Sequence, residues 1–293
     1  MPRSPRPGPS RPRSHDSPNR NPRYKKKFGQ HHLRSGDLCA PLLDFLAPEE
    51  LDVVEIGPGG GVLTAELVRL GARVTALEVD LPWAFHLRHA LPADRLQVVV
   101  TDAQGFPWSR VPGPALITGN LPFNVGTRLV EQTVLAAARR PQTFPRLGYM
   151  LQKEVADRLT ARPGEKAYGA LTVLVGALAS CRPLGTLAPG AFRPPPKVSA
   201  AFVGLEPRSP EETADLTAPA RWKAFRSLVH GAFSQRRKTL RNSLGAALGK
   251  ERAAAVAAAA GVDLGVRAET LDTGTFLALF TAYGHLASGE SSE

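Results

Sequence analysis

Between residues 51 and 120 short β-type runs alternate with helical ones, and few folds accept that order. "LDVVEIG" reads as a strand, "VLTAELVRLG" as a helix closed by Gly71, "RVTALEVD" and "RLQVVVTDA" as two more strands, and "ALITGN" as a fourth. Such alternation predicts a parallel sheet covered by helices on both faces, an α/β architecture of Rossmann-like type. Ligands of such sheets sit beyond the carboxyl ends of the strands, so chemistry is sought there. The later pair "GTLAPGAF" and "KVSAAFVGL" is expected to add an edge hairpin. After Pro207 the texture turns helical, with Phe225, Leu228, Val229, Ala232 and Phe233 at helical spacing inside "WKAFRSLVHGAFSQRRKTLRNSLGAAL", followed by "KERAAAVAAAAG" and "TGTFLALFTAYG". The expected organisation is a tail over 1–24, an α/β domain over 25–207 and a small all-helical domain over 208–293.

Charge is unevenly placed along the 293 residues. Residues 1–27 and 221–252 each hold nine Lys and Arg against one acid, so each carries +8, and the remainder sums to −5 against a total of +11. Confined basicity suits discrete contacts with a polyanion, although a solubilising tail plus a solvated helix face would read the same. Residues 1–24 contain seven prolines among Arg and Ser, with almost nothing apolar to bury, and are expected to be disordered. Their composition is Arg-rich and acid-poor like a transit peptide, yet the prolines forbid the amphipathic helix such a peptide needs. The two cysteines, Cys39 and Cys181, stand far apart and outside any metal-ligand spacing, which argues against a disulfide framework and a structural zinc. The longest apolar run is too short to span a bilayer, so a cytoplasmic protein without a membrane is expected.

"VVEIGPGGGVLT" is a strand, a glycine turn and a helix start. A dinucleotide fingerprint would place a further glycine at position 62, which holds Val62. The spacing suits Glu-x-Gly-x-Gly-x-Gly instead, with Glu55 leading Gly57, Gly59 and Gly61, the loop by which class I methyltransferases approach S-adenosylmethionine. Alone such a loop is a weak signal. Glu78 ends the next strand, where a carboxylate can accept hydrogen bonds from both ribose hydroxyls, and Asp102 ends the one after, placed to accept from the adenine amine. Each acid by itself would be an ordinary solvated strand end. Three strand ends in succession carry the cofactor reading.

The fourth strand runs into Asn120-Leu121-Pro122-Phe123. An exocyclic base amine is a poor nucleophile, because its lone pair is conjugated into the ring. The Asn120 side-chain carbonyl and a backbone carbonyl such as that of Leu121 can hold the amine hydrogens and favour a pyramidal nitrogen. Pro122 would stiffen the corner, and Phe123 would stack on a base swung out of its helix. No metal and no strong general base is required. A turn with a buried Phe is the plain alternative, and the position after a cofactor-type loop and two acids disfavours it.

With "KKKFGQHHL", "VVEIGPGGGVLT", "GNLPFN", "MLQKEVADRL", "AYGALTVLV", "FRPPPKVSAAF", "FSQRRKTLRNSL" and "RAETL" in this order, the chain resembles the bacterial small-subunit ribosomal RNA adenine dimethyltransferases, relatives of the erythromycin-resistance methylases and the mitochondrial transcription factor B proteins. The resemblance implies that Gln30, His31 and Leu33 border the cofactor with Gly57, Gly59, Glu78, Asp102 and Asn120. It implies that Phe192 helps Phe123 hold the target adenine, and that Arg236, Arg237, Lys238 and Arg241 meet rRNA phosphates. It further implies two methyl transfers to N6 of each of two adjacent adenosines near the 3′ end of 16S rRNA in the 30S subunit, a role in subunit biogenesis, and action as a monomer. Three departures stand out: Phe123 where the family most often has Tyr, His32 where it usually has Phe, and a longer basic N-terminal arm.

Three rivals remain at this point. Resistance-type methylation of large-subunit (23S) rRNA is disfavoured by "RRKTLRNSL" and "PGEKAYGALTVL". DNA adenine methylation would favour two prolines directly after the corner Asp or Asn, where Leu121 intervenes here. A ribosome-assembly factor without catalysis would not need a complete cofactor constellation.

Overall fold

The computed structural model describes residues 31–288 other than residue 93; the 1–24 tail and Gln30 lie outside the described residues. Nine strands and eleven α-helices are described. β1 (His32–Leu33) is followed by α1 (Ala40–Leu46), and the expected alternation then appears as β2 (Asp52–Ile56), α2 (Val62–Arg69), β3 (Arg73–Glu78), α3 (Leu81–Ala90), β4 (Leu96–Val100), β5 (Ala115–Asn120) and α4 (Gly126–Arg139). It continues through β6 (Leu147–Gln152), α5 (Lys153–Thr160), α6 (Ala170–Gly176), β7 (Ala179–Leu187), β8 (Phe192–Arg193) and β9 (Ala200–Pro207). The main sheet has seven strands in the order β4-β3-β2-β5-β6-β9-β7, parallel through β6 and antiparallel where β9 pairs with β6 and β7.

Both faces of this sheet are buried, which explains why its strands read as nearly continuous apolar runs. Val54, Ile56, Ile117, Tyr149 and Val203 face a core built with α4, α5 and α6. Their chain neighbours Val53, Leu116, Met150 and Phe202 face a second core built with α1, α2 and α3, as the two-residue period of a strand requires. The strand order reverses between β2 and β5, so the carboxyl ends of β2, β3, β4 and β5 open together on one rim.

The expected edge hairpin is only partly right. β9 is an interior strand, and β7 alone forms the edge; it begins at Ala179, so that only Gly185–Leu187 of "GTLAPGAF" belong to it. Pro183 sits within β7 and the register shifts between Pro183 and Gly185. Proline cannot donate to a ladder and is tolerated at an edge or a bulge, and this strand supplies both.

The helices after residue 207 are α7 (Pro210–Thr217), α8 (Pro219–Ala232), α9 (Leu240–Leu248), α10 (Lys250–Ala259) and α11 (Thr273–Ser288). A capping box starts α7: the Ser209 hydroxyl accepts from Glu212 N–H (3.4 Å), and the Glu212 carboxylate accepts from Ser209 N–H (3.0 Å). The run from Trp222 to Leu248 is two helices, with Ser234 to Thr239 as a turn between them. The interruption is tertiary, because the N–H groups of Leu240 and Arg241 donate to the carbonyls of Val266 (2.8 Å) and Leu264 (3.0 Å) rather than to a preceding helical turn. These helices share the core of the α4 to α6 face, where Phe225, Leu228, Val256 and Phe276 join Val130 and Val134. No described helix is long and apolar enough to cross a membrane.

Candidate active site

The rim at the strand ends encloses a cavity of about 300 Å³. Its lining draws Gly57 and Gly59 from the turn after β2, Glu78 from the end of β3, Asp102 from the turn after β4, and Asn120 to Phe123 from the end of β5. His31 closes it from the other side. Residues from four separate strand ends singled out in the sequence therefore meet around one space, with His31 beside them.

The glycine turn is left-handed at Gly57 (φ 65°) and Gly59 (φ 52°), a conformation that costs other residues and leaves no side chain between backbone and cavity. Gly119 has a different reason to be glycine. A Cβ there would lie 2.3 Å from the carbonyl oxygen of Ile56, so its absence lets β5 lie close against β2 and brings Asn120 up to the glycine turn. Gly119 was not among the residues singled out, and its only sequence signal was a glycine directly before the polar corner.

Glu78 is almost fully buried. One carboxylate oxygen accepts from Gly59 N–H (3.1 Å) and the other from Asp80 N–H (2.8 Å). Burial raises its carboxyl above the ordinary range, and these two backbone donors oppose the rise. Asp102 is exposed and accepts from Gln104 N–H (2.9 Å), capping the turn that carries Ala103 and Gln104 to the cavity. Behind the loop, Glu55 is enclosed and its carboxyl is pushed up to about 8 by burial, with the charge of Glu78 adding to the effect.

Asn120 is held by one short bond, in which its amide nitrogen donates to the backbone carbonyl of His31 (2.7 Å). A carbonyl can only accept, so the nitrogen must face it and Oδ1 remains the acceptor that the amide presents. By the same argument His31 Nδ1, 2.9 Å from the carbonyl of Pro194, carries a hydrogen. The His31 ring stacks on Phe123 with centroids 5.5 Å apart and planes at 30°. Leu121 is buried and donates its N–H to Met150 (3.0 Å), while the Pro122 carbonyl accepts from Val125 and Gly126 where α4 begins. The corner is thus pinned on both sides.

Leu33 and Phe192 are not at the cavity. They pair with each other across β1 and β8 and are 6% and 1% exposed, within the core of the α1 to α3 face. The expectation that Phe192 faces the target base is corrected accordingly: strand alternation turns its ring inward. His32 faces outward and packs on the glycine turn, 2.6 Å from where a Cβ on Gly59 would lie, with Trp83 edge-on at 4.4 Å. Burial, His31 and His86 lower its pKa to about 4. Arg236, Arg237 and Lys238 lie on the turn between α8 and α9, and Arg241 in the first turn of α9. Arg236 donates to the carbonyl of Lys166 and lies 3.6 Å from Glu269, which ties the turn to the neighbouring loop.

A Rossmann-like sheet with a glycine turn, two strand-end carboxyls and a pinned Asn corner defines the methyltransferase class. The sequence profile described as ribosomal RNA adenine dimethylase matches residues 21–284. The chain is 38% identical over 265 residues to a ribosomal RNA small subunit methyltransferase A of Acidithiobacillus ferrooxidans, covering 89% of this chain and 95% of that protein. It is 42% identical over 263 residues to the protein of the same name from Phenylobacterium zucineum, covering 88% of each. Among solved structures it is similar to a dimethyladenosine transferase from Plasmodium falciparum (TM-score 0.70, 24% identity, 87% of this chain and 98% of that one). It is also similar to the 23S rRNA methyltransferase ErmE (TM-score 0.63, 26% identity, 86% and 99%). This chain belongs to the ribosomal RNA adenine dimethylase family.

Proposed function

We propose that the protein dimethylates N6 of two adjacent adenosines near the 3′ end of 16S rRNA in the small ribosomal subunit, using S-adenosylmethionine, and that it takes part in small-subunit biogenesis. The observation that carries this reading is the fixed amide of Asn120, a residue at the rim shared by the glycine turn, Glu78 and Phe123. The relatives named for the small subunit, 38% and 42% identical over most of the chain, support the small subunit as target over the resistance-type alternative.

The cavity fits this cofactor. Glycine backbone without side chains faces it, apolar Ile56, Leu77 and Val79 line it, and Glu78 and Asp102 end adjacent strands at its edge. When bound, S-adenosylmethionine supplies a methyl on a cationic sulfur that leaves with the S–C electron pair. Gly57 and Gly59 would admit its methionine and ribose parts, Glu78 would accept from the ribose hydroxyls, and Asp102 would accept from the adenine amine. Asn120 Oδ1 and the Leu121 carbonyl hold the target amine's hydrogens, so that its lone pair points along the line of transfer. Phe123 offers its face to the displaced base in the manner that His31 occupies it now. After the new C–N bond forms, the nitrogen sheds a proton to water, and no strong base is called for. Leu33 and Phe192 act from behind, keeping β1 and β8 in place beneath His31.

On this reading residues 25–207 form the catalytic domain and residues 208–293 an rRNA-binding domain, whose Arg237, Lys238 and Arg241 reach phosphates while Arg236 anchors their turn. The working form is a cytoplasmic monomer. Asn120→Ala is the direct test: methyl transfer falls by at least about a hundred-fold, the order of loss for a removed transition-state contact, while cofactor and subunit binding persist. Equal loss of binding and transfer would remove Asn120 from its assigned role.

A further inference from the structure

A second cavity, of about 290 Å³, shares His32 with the candidate active site. Its lining includes His32, Arg34, Val62, Trp83, His86 and Arg193, and no acidic side chain among the described residues. Strand pairing builds it. His32 lies directly opposite Arg193 across β1 and β8, so the two side chains share a face, while Leu33 and Phe192 turn to the core. Arg34 falls on the same face as His32 and is steered by its Nε, which donates to the carbonyl of Phe192 (3.2 Å). The bond occupies one edge of the guanidinium and leaves the two terminal nitrogens as a fork. Val62 opens α2, so the positive end of an eight-residue helix borders the same space.

We propose that this cavity holds a backbone phosphate of the RNA strand whose adenosine enters the active site, bridged by Arg34 and Arg193. The two cavities share one wall, His32, so a nucleotide whose base lies against Phe123 carries its strand past this fork. Two guanidiniums and a helix amino end, with no carboxylate, match a phosphodiester oxygen pair. The assignment adds a site on the catalytic face to the contacts expected of the helical region, and it rests on the RNA-methyltransferase reading above.

The test uses the full chain with Arg34→Gln and Arg193→Gln combined, Arg193→Gln alone, and the pair Arg34→Lys with Arg193→Lys. Affinity for undermethylated small subunits is measured against salt, and S-adenosylmethionine affinity is measured by calorimetry without RNA. The plot of log affinity against log salt is expected to flatten by about one for the double glutamine variant, which loses the one phosphate contact, and by less for the single, with the lysine pair restoring the slope. Cofactor affinity stays as in the unaltered protein. An unchanged slope overturns the proposal, as does a loss confined to cofactor affinity, which would make the fork a support for the glycine turn. Inorganic phosphate is added alone as the remaining arm. A phosphate-induced rise in melting temperature that vanishes in the glutamine variants while subunit affinity holds would assign the cavity to a free anion instead. Failure of the unaltered protein to methylate small subunits is a separate outcome and sinks the underlying reading, not this one alone.

Discussion

His32 couples the glycine turn to pH. Its ring packs against that turn, and its pKa of about 4 lies below the ordinary 6.5 because of burial, His31 and His86. A lowered folded-state pKa means that the unfolded chain binds the proton first as pH falls. The contribution of this group to stability is therefore complete above about 6.5 and is lost as pH falls through about 4. His32→Phe removes the titration. The stability difference between the variant and the unaltered protein, measured by urea unfolding at several pH values, is expected to shift in favour of the variant between pH 6.5 and 4. A difference independent of pH would mean that the imidazole stays solvated.

At the scale of elements, the turn between α8 and α9 divides its basic side chains by task. Arg236 is tied to Lys166 and Glu269, whereas Arg237, Lys238 and Arg241 are exposed. Arg237→Ala with Arg241→Ala should lower affinity for small subunits and flatten its salt dependence by about two; an unchanged slope would take this turn out of the RNA interface. The same region shows what sequence patterning can and cannot convey. β2 to β5 and α2 were legible because burial on both faces leaves short, nearly continuous apolar runs between turn residues, and the residues at the strand ends converge on one cavity as that topology demands. The break after Ala232 was not legible, since it is set by hydrogen bonds to Leu264 and Val266, far away in sequence. β7 was obscured by Pro183 and Gly185, which read as loop residues until the edge position is known. Phe192 was misplaced because a short motif specifies a residue type but not which face of a two-residue strand it occupies.

Across the whole molecule one apolar core runs from the sheet into the C-terminal helices. Phe225 is fully buried in it and meets Phe280 edge-on at 5.3 Å, and the Arg226 to Glu131 ion pair (3.2 Å) joins α8 to α4 at its margin. Phe225→Ala should destabilise the protein by about 3–5 kcal/mol, the usual cost of a large core truncation. The shift should appear alike in probes of the sheet and of the helices, as for a chain that unfolds as a unit. Two separate transitions would mean that the helices are only loosely docked, and the basic turn between α8 and α9 would then have no fixed place relative to the cavity rim.

Asn120 and its strand end are proposed to present an adenine amine for methylation in the small subunit. The most direct measurement incubates the protein with labelled S-adenosylmethionine and, separately, undermethylated small subunits, large-subunit RNA and DNA, and identifies the modified nucleoside and its position by mass spectrometry. N6,N6-dimethyladenosine is expected at two adjacent positions near the 3′ end of 16S rRNA, with no label in the other two substrates. Label on large-subunit RNA or DNA, or none on small subunits, would contradict it.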